Sequence, residues 1–145
     1  MKLAEELDTI KAGARMAGVL RKGDVVTLSG PLSAGKTTFV RGLLAALGHE
    51  GEVPSPTFAI VQPYEALELP LWHVDLYRIE DREELRELGL DELGDQGVLV
   101  VEWPERAGIG AWPEALALSL HIAPDDGRAL TAKVPASWEG RWPPR

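Results

Sequence analysis

Apolar residues recur at helical spacing over 3–21, at Leu3, Leu7, Ile10, Ala14, Ala17 and Leu20, which predicts an amphipathic helix ended by Gly23-Asp24. The run Val25-Val26-Thr27-Leu28-Ser29 is short and β-branched, as a buried strand is. Gly30 to Thr37 reads as a turn, and Phe39, Val40, Leu43, Leu44 and Leu47 then mark a helix from Lys36 to Leu47, stopped at Gly48. Residues 48–57 are a Gly- and Pro-rich loop. Residues 58–64 and 69–74 look like a hairpin turning near Glu65-Ala66, and Pro63 and Pro70 make both strands edge-like. Glu80 to Leu88 predicts a charged helix closed by Gly89. Val98-Leu99-Val100-Val101 is the most apolar run and predicts a central parallel strand. Residues 115–122 alternate as a strand does, and Pro124-Asp125-Asp126-Gly127 turns the chain into another at 129–134.

Helix, strand, loop, helix and then several strands predict an α/β fold. No repeat or linker interrupts the pattern, so residues 1–136 are expected to form one domain and 137–145 an irregular tail.

One segment changes this picture. Gly30-Pro31-Leu32-Ser33-Ala34-Gly35-Lys36-Thr37 fits G-x-x-x-x-G-K-[ST] at every fixed position. The glycines let the backbone wrap a phosphate, with the N–H groups from Ser33, Ala34, Gly35, Lys36, Thr37 and Thr38 available around it. Lys36 reaches the β- and γ-phosphates, and the Thr37 hydroxyl ligates Mg²⁺. The helix that follows aims its positive end at the same anion. A chance match in a chain of this length is on the order of one per cent, and the flanking strand and helix lower it further.

Hydrolysis also calls for an acid at the end of a neighbouring apolar strand. Glu102, after Val98–Val101, is the better placed, and Asp75, after Leu71-Trp72-His73-Val74, is the second. Alternation puts His73, Asp75 and Tyr77 on one face. The chain holds no Asn, so the N-K-x-D guanine-reading loop cannot exist in it; ATP is the expected nucleotide. Asp91-Glu92-Leu93-Gly94 fits D-x-x-G, a cheap match.

Composition narrows the partners. The net charge is −8, which argues against strong nucleic-acid binding by this chain alone. No cysteine is present, so disulfides and thiolate metal sites are excluded. The polar, acidic start of the chain and the lack of a long apolar run point to a cytoplasmic protein with no membrane association.

Taken in order, these blocks resemble the TsaE (YjeE-type) ATPases of bacterial tRNA threonylcarbamoyladenosine biosynthesis. The matching pieces are Leu28 to Phe39 with Arg41-Gly42, Ser55-Pro56-Thr57-Phe58, His73-Val74-Asp75-Leu76-Tyr77-Arg78, Glu83-Glu84-Leu85 with Leu88-Gly89, and Glu102-Trp103-Pro104-Glu105, over about residues 5–128. Pro31 and Ser33 stand where the family loop usually carries Asp and Gly. The resemblance implies a P-loop NTPase-type three-layer core, with a mainly parallel central sheet and antiparallel additions. It implies Mg²⁺-dependent ATP hydrolysis in the service of a TsaD–TsaB transferase complex, with tRNA engaged only through that complex and no DNA. It implies Mg²⁺ on Thr37 and Glu102, a functional role for Asp75 beside Lys36 and Glu102, and nucleotide contacts outside the loop at Thr9 and Arg128. It raises a functional role for His73 and, for Trp103, a place at the site or partner surface. Two other classes share the loop: a small-molecule kinase, and a nucleotide-dependent interaction module without turnover.

Overall fold

The structure is a computed structural model and describes residues 1–108 and 110–144. Its strands are β1 (Lys2–Leu3), β2 (Val25–Ser29), β3 (Val61–Tyr64), β4 (Leu71–Asp75), β5 (Val98–Glu102), β6 (Leu116–Ile122) and β7 (Arg128–Lys133). The helices are α1 (Glu6–Met16), α2 (Lys36–Ala46), α3 (Arg82–Glu87) and α4 (Leu90–Gln96). The strands form one sheet in the order β1-β7-β6-β2-β5-β4-β3. Its centre, β6-β2-β5-β4, is parallel. β7 and β1 extend one edge antiparallel, and β3 the other. The expected α/β fold with a parallel core and antiparallel additions is therefore present.

The apolar faces sort into two layers of core. Val26, Leu28, Leu71, Val98, Val100 and Leu118 face one way, together with Met16, Phe39, Val40, Leu43 and Leu44 of α1 and α2. Trp72, Val74, Leu99 and Val101 face the other, with Leu90 of α4 and partly buried Leu85 and Leu88. This is why β5 is apolar throughout: it is covered on both sides. α1 and α2 approach closely through glycines. A Cβ on Gly13 would stand 2.0 Å from the Phe39 carbonyl oxygen, and one on Gly42 would stand 2.1 Å from that of Ile10. The close crossing holds the start of α1 against the loop that precedes α2.

Several sequence expectations need correction. The helix expected over 3–21 runs only Glu6–Met16. Leu3 instead pairs with Arg128 in the sheet, and beyond Met16 the chain leaves in tight turns at Ala17, Val19 and Leu20. β4 is not edge-like but lies between β5 and β3, with all five residues buried. Pro70 permits this because it precedes the strand, where only its carbonyl is used, accepting from Val98 N at 2.9 Å. The strand expected from Phe58 begins at Val61, since residues 56–60 are a turn closed by Ile60 N to the Pro56 carbonyl at 2.7 Å. Asp91-Glu92-Leu93-Gly94 lies within α4, which the sequence reading left out.

Residues 137–144 carry no regular element beyond the 3-10 turn Ala136–Trp138, yet they are tied to the body. Trp138 is 1% exposed in the main core. Arg141 holds both carboxylate oxygens of Asp24, at 2.7 and 3.0 Å, and donates to the Val19 carbonyl at 2.9 Å.

Candidate functional site

The parallel strands β2, β5 and β4 all end on one side of the sheet, where open α/β sheets bind ligands. β2 runs into the loop Gly30–Gly35, which opens α2. Gly30 has φ 145°, and a Cβ there would meet the Leu120 carbonyl oxygen at 2.3 Å, so no other residue fits. Gly35 caps α2 with no side-chain partner for the first-turn amides and no acidic residue among them. The positive helix end is thus left to an anion.

A cavity of about 280 Å³ stands over this helix end, and Lys36, Thr37, Thr38, Thr57, Asp75 and Glu102 are among its walls. Lys36 is 5% exposed, His73 0%, and Asp75 and Glu102 3% each. Burial draws the Lys36 ammonium below the ordinary lysine range, against the opposing pull of the Glu102, Asp75 and Glu105 carboxylates. Its Nζ donates to the Gly30 carbonyl at 2.6 Å and lies 3.8 Å from the centre of the Trp103 ring.

The two strand-end acids are register partners, Asp75 of β4 opposite Glu102 of β5. Glu102 Oε2 accepts from Thr37 Oγ1 at 3.4 Å and lies in hydrogen-bond contact with His73 Nε2 at 2.5 Å. Asp75 Oδ1 accepts from the Tyr77 amide at 2.8 Å, and Oδ2 accepts from Thr57 Oγ1 at 3.1 Å. Thr57 Oγ1 is in turn 2.9 Å from Ser55 Oγ. Among the described residues no ion pair joins Asp75 to Arg78; the Arg78 guanidinium lies over the Phe58 ring instead.

Thr37 and Glu102 fit a Mg²⁺ ion. Octahedral Mg²⁺ sits 2.0–2.1 Å from its oxygens, which places neighbouring ligand oxygens about 2.9 Å apart, so a small shift from 3.4 Å suffices. Such an ion typically takes only one or two protein oxygens and completes its shell with phosphate and water.

A second cavity, of about 260 Å³, shares Ser33, Gly35 and Thr38 with the first and continues past Thr9, Asp126 and Arg128. Thr9 is buried on α1, with its methyl 3.5 Å from where a Gly35 Cβ would be. Arg128 turns its guanidinium to backbone carbonyls: Nη1 donates to Asp126 and Gly127, Nη2 to Ser33. Ala34 stands apart from the other predicted residues. Its side chain is buried in the core and its amide donates to Pro31 O at 3.2 Å, inside the loop.

The sequence placed Trp103 at the site or partner surface without assigning it a contact, and gave Thr57 only as part of a matching block. Trp103 has φ 58°, a left-handed residue that folds the chain back so that its ring covers Lys36. Its place directly after Glu102 was the available signal.

A family model described as "Threonylcarbamoyl adenosine biosynthesis protein TsaE" matches residues 3–130. The tRNA threonylcarbamoyladenosine biosynthesis protein TsaE of Bacillus subtilis (strain 168) is 45% identical over 123 residues, covering 83% of this chain and 77% of the relative. That of Treponema pallidum (strain Nichols) is 38% identical over 125 residues, covering 86% of this chain and 92% of the relative. A solved structure described as "Crystal structure of Bacillus subtilus YdiB" superposes with a TM-score of 0.82 at 34% identity, covering 97% of this chain and 88% of that one.

Proposed function

Since the chain belongs to the TsaE family of threonylcarbamoyladenosine biosynthesis, we propose that it is a Mg²⁺-dependent ATPase that serves tRNA modification by acting on a TsaD–TsaB transferase complex. The observation that carries the reading is the Thr37 and Glu102 oxygen pair, 3.4 Å apart beside the uncapped start of α2 and the buried Lys36.

The triphosphate lies in the first cavity, with loop and helix amides on its oxygens. Lys36 exchanges the Gly30 carbonyl for the β- and γ-phosphates, a stronger partner because it is charged. Bound Mg²⁺ supplies charge neutralisation at the phosphates, with Thr37 and Glu102 as its protein contacts. His73 holds the Glu102 carboxylate in place from below. Asp75 lines the same cavity and would repel a triphosphate there, so its value lies in orienting water or in reporting phosphate state. Its bond to Thr57 ties that report to the loop 53–60. The nucleoside extends into the second cavity, toward Thr9; Arg128 also lines that cavity, with its guanidinium turned to backbone carbonyls.

ATP is preferred over GTP because the chain cannot form the asparagine-based guanine loop. The partners are those that the family resemblance implies, with hydrolysis resetting the complex between turnovers and tRNA reached only through it. Reconstitution tests this. A TsaD–TsaB mixture given tRNA and an activated threonylcarbamoyl donor should stop after about one turnover without this chain and continue with it when ATP and Mg²⁺ are present. Equal multiple-turnover modification with and without the chain would refute the reading.

A further inference from the structure

Ser33 adopts φ 66°, a left-handed conformation that favours glycine. It is the third residue of a turn closed by Ala34 N to Pro31 O at 3.2 Å, the position that ordinarily takes Gly or Asn. Ser33 is exposed, so no packing forces it there. Its carbonyl is held from outside the loop. Arg128 Nη2 donates to Ser33 O at 3.1 Å, across 95 positions of sequence.

Arg128 is itself fixed. Its backbone sits in the sheet, paired with Leu3 of β1 and Ile122 of β6. Nη1 of the same guanidinium donates to Asp126 O at 2.7 Å and to Gly127 O at 3.2 Å, gripping the β6–β7 turn. Among the described residues it makes no ion pair, so its donors are committed to backbone oxygens. The guanidinium therefore bridges the β6–β7 turn and the left-handed residue of the phosphate loop.

We propose that Arg128 is a positioning residue that holds Ser33 left-handed, so that the phosphate loop is preformed for its anion. This rests on the reading that the loop binds ATP. A loop that visits its binding form only part of the time binds more weakly by that fraction. Without Arg128, serine leaves the left-handed region, and ATP affinity falls about tenfold. Glycine enters that region unaided, so the same loss of Arg128 matters less in a Ser33→Gly background.

The test is a double-mutant cycle read by calorimetry, with ATP and with inorganic tripolyphosphate, each with Mg²⁺. Arg128→Gln should weaken both ligands by a similar factor, about tenfold. In the Ser33→Gly background the same change should cost less than about threefold, whatever Ser33→Gly does alone. If Arg128→Gln does not fold, Arg128→Lys gives the same comparison, since a single ammonium cannot bridge the turn and the loop. Loss of ATP affinity with tripolyphosphate unaffected would mean that Arg128 touches the nucleoside, and would overturn the proposal. So would equal losses in the two backgrounds. A wild-type protein that binds neither ligand would remove the ATP reading itself, a different outcome from ATP binding with Arg128 and Ser33 uncoupled.

Discussion

His73 Nε2 lies 2.5 Å from Glu102 Oε2, the same oxygen that accepts the Thr37 hydroxyl, so one buried imidazole fixes the acid at the end of β5. The contact arises from register: β4 and β5 are parallel with Asp75 opposite Glu102, which brings His73 alongside the carboxylate.

Removing one partner of this pair strands the other in the core. His73→Leu should cost about 1–3 kcal/mol of unfolding free energy, because Glu102 then loses a buried hydrogen-bond partner. The double variant His73→Leu/Glu102→Leu should recover most of that loss, since well-packed apolar residues often replace a buried polar pair without penalty. Urea denaturation checks both, and a double variant less stable than His73→Leu would contradict this account.

Lys36 gives a signed pH effect. Its ammonium is held below the ordinary range by burial, so the folded chain binds fewer protons there than the unfolded chain. The cost of burying the charge is present at lower pH and disappears as pH rises through the lowered pKa toward the ordinary one, so stability rises across that window. Bound triphosphate favours the charged form. ATP binding in that window should therefore take up protons, seen as a binding enthalpy that varies with the buffer's ionisation enthalpy. Lys36→Met should abolish the variation.

Asp75 should govern turnover more than affinity. Asp75→Ala is expected to lower ATP hydrolysis and reconstituted tRNA modification at least tenfold, while the ATP dissociation constant moves by less than about tenfold, ~1.4 kcal/mol. Thr57→Val, which removes the hydroxyl on Asp75 Oδ2, should shift turnover in the same direction by less. A destabilised Asp75→Ala protein with normal activity per folded molecule would assign the residue to structure alone.

The C-terminal segment should matter for stability. Trp138 fills the core and Arg141 grips Asp24 with both guanidinium nitrogens. Trp138→Ala should cost about 3–5 kcal/mol. Ending the chain at residue 136 should cost at least as much. Thermal unfolding of the two variants measures this.

The phosphate loop was legible because its chemistry requires fixed residues at fixed spacing, and β2 and β5 because a strand covered on both faces must be apolar throughout. β4 was misread as edge-like because the rule applied to Pro70 concerns prolines inside a strand, whereas Pro70 stands just outside. α4 escaped notice because Leu90 and Gly94 are its only buried residues, too few for a periodic signal. β1 is two residues long and exists only through β7. Glu102 and Asp75 were visible as strand-end acids, but the His73 bond to Glu102 depends on the pairing of strands far apart in sequence. The Arg128 bond to Ser33 spans 95 positions and was beyond any local pattern.

Mg²⁺-dependent ATP hydrolysis at the phosphate loop is read out by phosphate release in the presence of a TsaD–TsaB complex. The wild-type chain should release phosphate, EDTA should stop it, and Lys36→Ala should reduce it by roughly ten- to a hundredfold, as the loss of a charged hydrogen bond worth ~1.5–3 kcal/mol requires. Nucleotide binding without phosphate release would assign the chain to a non-hydrolysing module, and transfer of the phosphate to a small acceptor would assign it to a kinase. Either result, or undiminished release by Lys36→Ala, would contradict the account.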